Sequence, residues 1–282
     1  MEQDGSVLIV DEACTEPANP TSQDKSEDIT HTTFLNESSS LHTLRQRYGG
    51  KLVHTFCGSN LITLNPRHQL AAYSDKVMSM FKGSRREELP PHVFSIAQSA
   101  YRKLMNTQRN QSIVPMGISG SGKSVMVEHC INYFIKQTSN GFISFDTFQA
   151  GWKLLEIFSS VETPAGRACS RDVKLFHLDF DKSGVLVSIE VQCALLDKNH
   201  VTSTMHDFSN YLALHMLAEG AQTELKKDLF MNEKTKSDNR LGSKRPSEEN
   251  DRPRFKSSPY PGPFLIQSRK EADATYNDSE IE

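Results

Sequence analysis

The sequence lacks the long apolar run that a membrane-spanning helix requires. No stretch of the 282 residues approaches the roughly 20 consecutive apolar residues that cross a bilayer. The opening residues, MEQDGSVLIVDEACTEP, contain too short an apolar core and too many acidic side chains for a secretion signal. We therefore expect a cytoplasmic protein that makes no contact with a membrane.

Cysteine pairs and an excess of one charge are missing as well. The five cysteines are scattered and form no CxxC pair, which argues against a disulfide framework or a zinc site. The 32 Lys and Arg nearly balance the 35 Asp and Glu, for a net charge of −3. Because sequence-independent nucleic-acid binding requires a strong basic excess, no nucleic-acid partner is expected.

Composition divides the chain into three parts. Residues 1–40 contain nine acidic side chains and one Lys, and such a segment buries too little apolar surface to offset the entropy of ordering. They are predicted to form a disordered acidic arm. In residues 231–282, Pro, Ser and mixed charges interrupt every periodic pattern, which predicts a disordered polar tail. A folded domain is expected at 41–230.

The central domain alternates between strand and helix patterns. Strands are predicted at 51–65, at 111–117 and in both halves of 173–196, and helices at 90–107, 124–137, 145–158 and 205–225. The side chains expected to share the buried face of the second helix are Val125, Met126, His129, Tyr133 and Phe134. The alternation predicts an α/β fold with a parallel or mixed sheet and flanking helices.

One motif in the sequence indicates a binding function. The segment GISGSGKS fits G-x-x-x-x-G-K-[ST], the phosphate-binding loop, and it stands between a predicted strand and an amphipathic helix. The residues expected to hold the nucleotide are Gly117, Ser119, Gly120, Ser121, Gly122, Lys123 and Ser124. The glycines let backbone N–H groups converge, Lys123 supplies a cation, and the Ser124 hydroxyl can ligate magnesium. The motif predicts a P-loop NTPase-like sheet that binds ATP and Mg²⁺.

A second magnesium-binding carboxylate is harder to find. Asp179 and Asp181 follow the apolar run 175–178, where a nucleotide hydrolase can carry an acidic strand end. The alternative is a β-hairpin, because Asp181 opens the turn-like sequence DKSG and an alternating strand follows at once. Turn composition favours the hairpin, and these residues alone leave both interpretations open.

Two stretches, YSDKVMSMFKGSRREELPPHVFSIAQSAYR and NQSIVPMGISGSGKS, resemble the N-terminal part of a myosin motor domain. They are most similar to class-eighteen unconventional myosins, and the resemblance covers about residues 50–229. It implies a purine pocket lined by Asn65, Pro66 and Tyr73, next to the phosphate loop, although most active myosins carry Glu at the position of Ile118. It also implies that 175–196 is the hairpin of the transducer region.

Switch one, the loop that closes over the terminal phosphate in myosins, has the pattern Asn-x-Asn-Ser-Ser-Arg-Phe-Gly. The matching residues here retain Ser170 and Arg171, which the resemblance implies contact the nucleotide. Gly166, Ala168 and Cys169 replace the two asparagines and a hydroxyl. We therefore expect poor magnesium ligation and no effective ATP hydrolysis.

The resemblance ends near Leu229, so switch two, the relay helix, the converter and the lever are expected to be absent, and the chain is expected not to be a motor. The leading hypothesis is a partial, catalytically degenerate myosin head that binds ATP or ADP. It would act through a myosin or an actin-cytoskeleton partner that covers the shortened sheet. The alternatives are a self-contained P-loop hydrolase or kinase that uses Asp179, and a scaffold in which the loop is a relic.

Overall fold

A computed structural model describes residues 15–68, 70–138, 143–162, 168–195, 197, 211–231 and 264–268. The helices are α1 Glu37–Gly49, α2 Asp75–Phe81, α3 Val93–Thr107, α4 Lys123–Gln137, α5 Phe145–Ser159, α6 Leu212–Gly220 and α7 Thr223–Asp228. The strands are β1 His54–Cys57, β2 Asn60–Thr63, β3 Ile113–Met116, β4 Ser160–Glu162, β5 Ala168–Ser170, β6 Val173–Phe180, β7 Leu186–Ala194 and β8 Phe264–Ser268. Across these ranges, no helix combines the length and the apolarity that crossing a membrane demands.

The largest sheet has the strand order β1-β2-β8-β3. Its strand β3 leads directly into the predicted phosphate loop. β1 and β2 form a hairpin, and β8 pairs antiparallel with both β2 and β3. The α/β class is confirmed. The pairings between the named strands are all antiparallel, whereas the alternation of elements predicted a parallel or mixed sheet. The reason is that β8 lies between β2 and β3, the two strands that the helical crossover connects.

The polar tail contributes the strand β8, although composition predicts disorder from residue 231 onward. Its residues Phe264, Leu265 and Ile266 belong to a short apolar run inside an otherwise polar segment. Aromatic and β-branched residues favour strands, and the composition of the whole tail conceals this local preference. The prediction for 232–263 and 269–282 lies outside the described residues.

The prediction of a disordered N-terminal arm is wrong for residues 15–40. Ile29 is buried, and the backbone N–H of Phe56 in β1 donates a hydrogen bond to the carbonyl oxygen of Glu27. The buried Arg47 guanidinium donates to the carbonyl oxygens of Lys25 and His54, both at 2.9 Å. The arm is ordered because β1 and Arg47 satisfy its backbone, which composition does not reveal. Residues 1–14 lie outside the described part of the chain.

Helices α3 and α4 form the centre of the core. The Phe94 ring of α3 stacks on the Tyr133 ring of α4 with centroids 5.3 Å apart, and the Tyr133 hydroxyl donates to the Gln98 side chain at 2.6 Å. The predicted buried face of α4 is confirmed for Met126, Tyr133 and Phe134, with His129 half-buried. The prediction that Val125 is buried is wrong. Val125 is 47% exposed, because it lies one residue before the buried Met126 and is therefore rotated from it by about 100° around the helix.

β6 and β7 form the hairpin that turn composition favoured. Their inner face packs on α5, where the Trp152 and Phe176 rings stack with centroids 5.4 Å apart. In the turn, Gly184 has φ +84°, and its carbonyl oxygen accepts a 2.8 Å hydrogen bond from the Tyr101 hydroxyl of α3. The hairpin is therefore tied to both helices that flank it.

The single helix predicted at 205–225 is interrupted where the structure describes it. Residues 205–210 lie outside the described part, and the remainder forms α6 and α7, separated by extended residues Ala221 and Gln222. Gly220 ends α6, in keeping with the low helix propensity of glycine.

Candidate functional site

The predicted phosphate loop connects β3 to α4 in the order that its motif requires. Gly120 and Gly122 adopt positive φ angles of 77° and 97°, in the region that favours glycine. Gly122 stands at the N-cap of α4, and no side chain caps the helix start. The N–H groups of the first turn therefore stay available for an anion, and the dipole of this 15-residue helix favours negative charge there.

Lys123 lies across the loop. Its Nζ donates hydrogen bonds to the carbonyl oxygens of Gly117 and Ile118, both at 2.8 Å. Burial lowers the pKa of Lys123, and the neighbouring thiol of Cys169 acts in the opposite direction. The ammonium group thus occupies the concave side of the loop, where it can exchange carbonyl oxygens for phosphate oxygens.

The loop serines differ in their surroundings. The Ser121 residue is buried, and its hydroxyl has no hydrogen-bond partner among the described residues. A buried hydroxyl without a partner is uncommon in folded proteins, and at this position in the loop it is free to hydrogen-bond to a phosphate oxygen. Ser119 and Ser124 are exposed, so the predicted magnesium ligand Ser124 is accessible to solvent. These features fit a bound phosphate chain with its magnesium.

Asn65, predicted to line the purine pocket, lies beside the phosphate loop. It follows β2, and its side-chain Nδ2 donates to the carbonyl oxygen of Gly120 at 2.9 Å. A side chain at Gly122 would contact Asn65, because a Cβ placed there lies 3.5 Å from the amide carbon. The Asn65 Oδ1 accepts from the N–H of Arg67, which shapes the turn around Pro66. The structure thus brings two predicted parts of the site together.

Tyr73, the third predicted purine-pocket residue, packs on α4 directly after the phosphate loop. Its ring stacks on His129 with centroids 4.0 Å apart and an interplanar angle of 8°, and its hydroxyl lies 3.8 Å from the Met126 sulphur. The same hydroxyl is hydrogen-bonded to Nε2 of His54 at 3.0 Å. Tyr73 is therefore fixed from α4 on one side and from β1 on the other.

Three histidines surround Tyr73, and sequence analysis did not connect them. The rings of His54 and His92 are 4.6 Å apart, and Nδ1 of His54 contacts the buried Thr63 hydroxyl at 3.0 Å. Residues 54, 92 and 129 are far apart along the chain, so spacing carries no signal of the cluster. Its only trace is the helical pattern that places His129 on the buried face of α4.

Burial holds this histidine cluster neutral. Desolvation lowers the pKa of His92 to about 3 and that of His129 to about 4. The pKa of His54 falls well below its ordinary value, chiefly through desolvation and then through its histidine neighbours and Arg47. Burial also raises the pKa of Tyr73, which keeps its phenol protonated. The cluster therefore supplies neutral hydrogen-bonding groups rather than charge.

The segment matched to switch one forms β5 and the residues after it. Cys169, in β5, lies within electrostatic range of Lys123 in the phosphate loop. Ser170 is exposed, and the backbone N–H of Arg171 donates to the carbonyl oxygen of Ser159 at 2.8 Å. Behind them, Lys174 forms an ion pair with Asp172 at 2.7 Å and anchors the segment. Gly166 lies outside the described residues.

The two carboxylates considered as magnesium anchors serve the hairpin. Asp181 accepts hydrogen bonds from the backbone N–H groups of Ser183 and Val185 at 2.9 and 2.8 Å, and hydrogen bonding, first from the Ser183 hydroxyl, lowers its pKa. The Asp179 carboxylate accepts from the Ser188 hydroxyl across the strands at 2.6 Å. In the described ranges, no three His, Cys, Asp or Glu residues come together as a metal site.

Sequence similarity to known proteins identifies the family of this chain. The sequence profile described as "Myosin head (motor domain)" matches residues 26–245. Unconventional myosin-XVIIIa of Mus musculus is 40% identical over 235 residues, covering 82% of this chain and 12% of that protein. Myosin-14 of Homo sapiens is 32% identical over 223 residues, covering 76% of this chain and 11% of that protein.

The chain thus spans about one eighth of the length of these relatives. The profile match includes β1, the phosphate loop, the hairpin and the residues matched to switch one. The resemblance to class-eighteen myosins is confirmed at the level of a partial match. The chain belongs to the myosin head (motor domain) family.

Proposed function

We propose that this chain binds ATP or ADP, with magnesium, at the loop Gly117–Ser124, and that the purine lies against Asn65, Pro66 and Tyr73. The observation that carries the proposal is the hydrogen bond from Asn65 to Gly120. This hydrogen bond holds Asn65 against the phosphate loop, so the purine and phosphate parts of the proposed site would adjoin. The buried Ser121 hydroxyl without a partner among the described residues supports the same assignment.

The phosphate chain would lie over the N-terminus of α4. Lys123 would transfer its hydrogen bonds from the carbonyl oxygens of Gly117 and Ile118 to phosphate oxygens, and Ser124 would hold magnesium. Magnesium supplies charge neutralisation between the phosphates when it is bound. Because Lys123 already lies over the loop, little rearrangement is required for this exchange.

We further propose that hydrolysis is slow. Gly166, Ala168 and Cys169 stand where the switch-one pattern of the family carries two amides and a hydroxyl. A thiol is a poor magnesium ligand, since this hard cation prefers oxygen. Ser170 and Arg171 then remain as the matched residues of the loop. Loss of one preorganised donor typically costs about 100- to 1000-fold in rate, so loss of several leaves turnover near background.

We also propose a cytoskeletal role in the cytoplasm, through a myosin or an actin-cytoskeleton protein as partner. The support for this proposal is the family itself, together with the myosin names of both relatives. A nucleotide-binding head with slow turnover would act by holding a partner in one nucleotide state rather than by repeated cycling.

The test is a titration of the purified chain with fluorescent ATP, with and without magnesium, alongside a phosphate-release assay. Lys123→Ala is expected to weaken binding at least about tenfold, because it removes a charge-assisted contact worth about 1.5–3 kcal/mol. Lys103→Ala, at an exposed position of α3, is the matched control and is expected to bind like the wild type. Equal affinity of Lys123→Ala and wild type would contradict the proposal.

The same measurements separate the alternatives. Turnover abolished by Asp179→Asn would indicate a self-contained hydrolase, which the Asp179–Ser188 contact on the hairpin does not favour. Complete lack of nucleotide binding in a folded chain would instead favour a scaffold with a relic loop.

A further inference from the structure

Helix α1 meets the rest of the protein with a polar face. Its buried residues Ser39, Thr43 and Arg47 follow one another at four-residue intervals, so they share one side of the helix. The Arg47 guanidinium donates hydrogen bonds to the Thr55 hydroxyl and to the carbonyl oxygen of His54, both at 2.9 Å. Hydrogen bonds, rather than apolar contacts, therefore hold this side of α1 in place.

The apolar side chains of α1 lie on another side of the helix, which the described residues leave largely uncovered. Leu41 and Tyr48 are 47% and 43% exposed, and Leu44 between them is half-buried. With 3.6 residues per turn, these three positions share one face, roughly 130° around the helix from the buried polar face. An amphipathic helix normally packs such a stripe against the protein. We call Leu41, Leu44 and Tyr48 the α1 stripe.

The described part of the chain begins beside this helix. The carbonyl oxygen of Pro17 accepts hydrogen bonds from the Asn36 side chain at 2.9 Å and from the Ser39 hydroxyl at 3.4 Å. Asn36 is the N-cap of α1, and Leu41 lies little more than one turn further along. The segment that precedes Thr15 therefore joins the described structure near the N-terminal end of α1.

An apolar run in that preceding segment is close enough to cover the stripe. Residues 7–10 have the sequence VLIV, whereas their neighbours within 1–14 are mostly polar or acidic. The run ends five residues before the first described residue, and a linker of this length spans at most about 18 Å. The stripe itself is about 10 Å long, because each helical residue rises about 1.5 Å. The run can therefore reach the stripe while the contacts at the start of α1 stay intact.

Charge favours the same arrangement. Asp4 lies before the apolar run, and Asp11 follows it directly. Exposed cations lie next to the stripe, since Arg45 flanks it within α1 and Lys51 follows the end of the helix. The acidic side chain of α1, Glu37, is at the first position of the helix, before the stripe. Opposite charges beside the two apolar segments orient one against the other.

We propose that residues 7–10 dock on the α1 stripe, so that the N-terminal arm clasps α1 from both sides. The arm holds the polar side of the helix through the carbonyl oxygens of Pro17 and Lys25, and its apolar run covers the other side. A short connection within one chain keeps the run at a high effective concentration, so docking requires little intrinsic affinity. Docking also removes an exposed apolar patch from the surface. The inference does not depend on the proposed nucleotide site.

Thermal unfolding of full-chain variants tests the contact. Leu41→Gln is nearly neutral if the stripe faces water, but it removes an apolar contact if residues 7–10 cover it. We expect Leu41→Gln to lower the melting temperature by about 2–4 °C, and by less than about 1 °C in a chain that also carries Leu8→Ser and Ile9→Ser. The matched control is Leu154→Gln on α5, where the leucine is 59% exposed, and its effect should be the same in both backgrounds. A Leu41→Gln effect of equal size in both backgrounds, or none in either, would overturn the inference.

A photo-crosslink identifies the occupant independently of those variants. The full chain carries Ile9→p-benzoylphenylalanine, and irradiation, proteolysis and mass spectrometry map the peptide that becomes attached. We expect attachment to residues 41–48 within a single chain, reduced at least about tenfold by Leu41→Glu together with Tyr48→Glu, which place carboxylates against the apolar run. Attachment to 41–48 only between two chains would show that a second copy covers the stripe. Attachment nowhere on α1 would leave the stripe to a different protein or to water, and either result would overturn the inference.

Discussion

The side-chain amide of Asn65 donates a 2.9 Å hydrogen bond to the carbonyl oxygen of Gly120, across 55 residues of sequence. This contact fixes the phosphate loop to the end of β2 while the glycine backbone leaves its N–H groups unobstructed. A loop that is already ordered before its ligand binds loses less conformational entropy on binding. Asn65 therefore couples the shape of the loop to the strand that carries the purine pocket.

Replacement of Asn65 is expected to weaken nucleotide binding without unfolding the chain. Asn65→Ala removes a hydrogen bond worth about 1 kcal/mol, which corresponds to roughly a fivefold rise in the dissociation constant for ATP. Asn65→Asp should be worse, because its carboxylate would face the Gly120 carbonyl oxygen without a donor. Calorimetric titration measures both, with Asn106→Ala, at an exposed position of α3, as control. Wild-type affinity in Asn65→Asp would refute the coupling.

Turnover is expected to rise when the missing side chains of switch one are supplied. The wild-type chain should hydrolyse Mg-ATP far below one per second. The triple variant Gly166→Asn, Ala168→Asn, Cys169→Ser rebuilds the family pattern next to Ser170 and should increase single-turnover phosphate release at least about tenfold. Lys123→Ala in the same background is the control and should cancel the gain. Wild-type hydrolysis near one per second that Lys123→Ala abolishes would contradict the proposed slow turnover.

The stability of the fold is expected to fall in mild acid. His92 and His129 have folded-state pKa values of about 3 and 4, below the ordinary 6.5, so they remain neutral in the fold while the unfolded chain takes up protons below pH 6.5. Stability is therefore complete above that pH and declines from pH 6.5 toward pH 4, by at most about 1.4 kcal/mol per pH unit for each histidine.

Urea unfolding at pH 7.5, 6.5 and 5.5 measures this decline. His129→Phe keeps a ring against Tyr73 but cannot titrate, so its stability should depend less steeply on pH. The matched control is His177→Gln on the exposed face of the hairpin, which should follow the wild type. A His129→Phe slope as steep as that of the wild type would show that the histidine cluster is not the cause.

The hairpin turn is expected to tolerate no side chain at Gly184. Its φ of +84° is unfavourable for other residues, and a Cβ there would collide with the Tyr101 hydroxyl that donates to its carbonyl oxygen. Gly184→Ala should lower the free energy of unfolding by about 1–3 kcal/mol. Gly151→Ala is the control, since a Cβ in that part of α5 meets nothing within 4 Å and alanine favours helix. Equal stability of the two variants would contradict the packing.

Much of the secondary structure could be predicted because its signals are local. Three predictions depend on residues that are neighbours in the chain, and all three are confirmed. They are the strands from the alternation in 173–196, the turn at Asp181, and the helix from the apolar spacing of 90–107. The burial of Val125 was predicted incorrectly, because apolar character alone does not indicate which side of α4 packs against the core.

The order of residues 15–40 could not be predicted, because it depends on partners far along the chain. An arm of this composition has no core of its own, yet Arg47 and β1 provide the hydrogen bonds that hold it. The same reason conceals the strand β8, whose pairing partners begin about 150 and 200 residues earlier.

By itself, the sequence determined the phosphate-loop motif, its position between a strand and a helix, and the substitutions at Gly166, Ala168 and Cys169, because these are matters of residue type and local order. Only the tertiary structure decided that Asn65 meets Gly120, that β8 separates β2 from β3, and that three histidines enclose Tyr73. Contacts between distant segments depend on how the whole chain packs, and burial in that packing makes the histidines neutral hydrogen-bonding partners rather than cations.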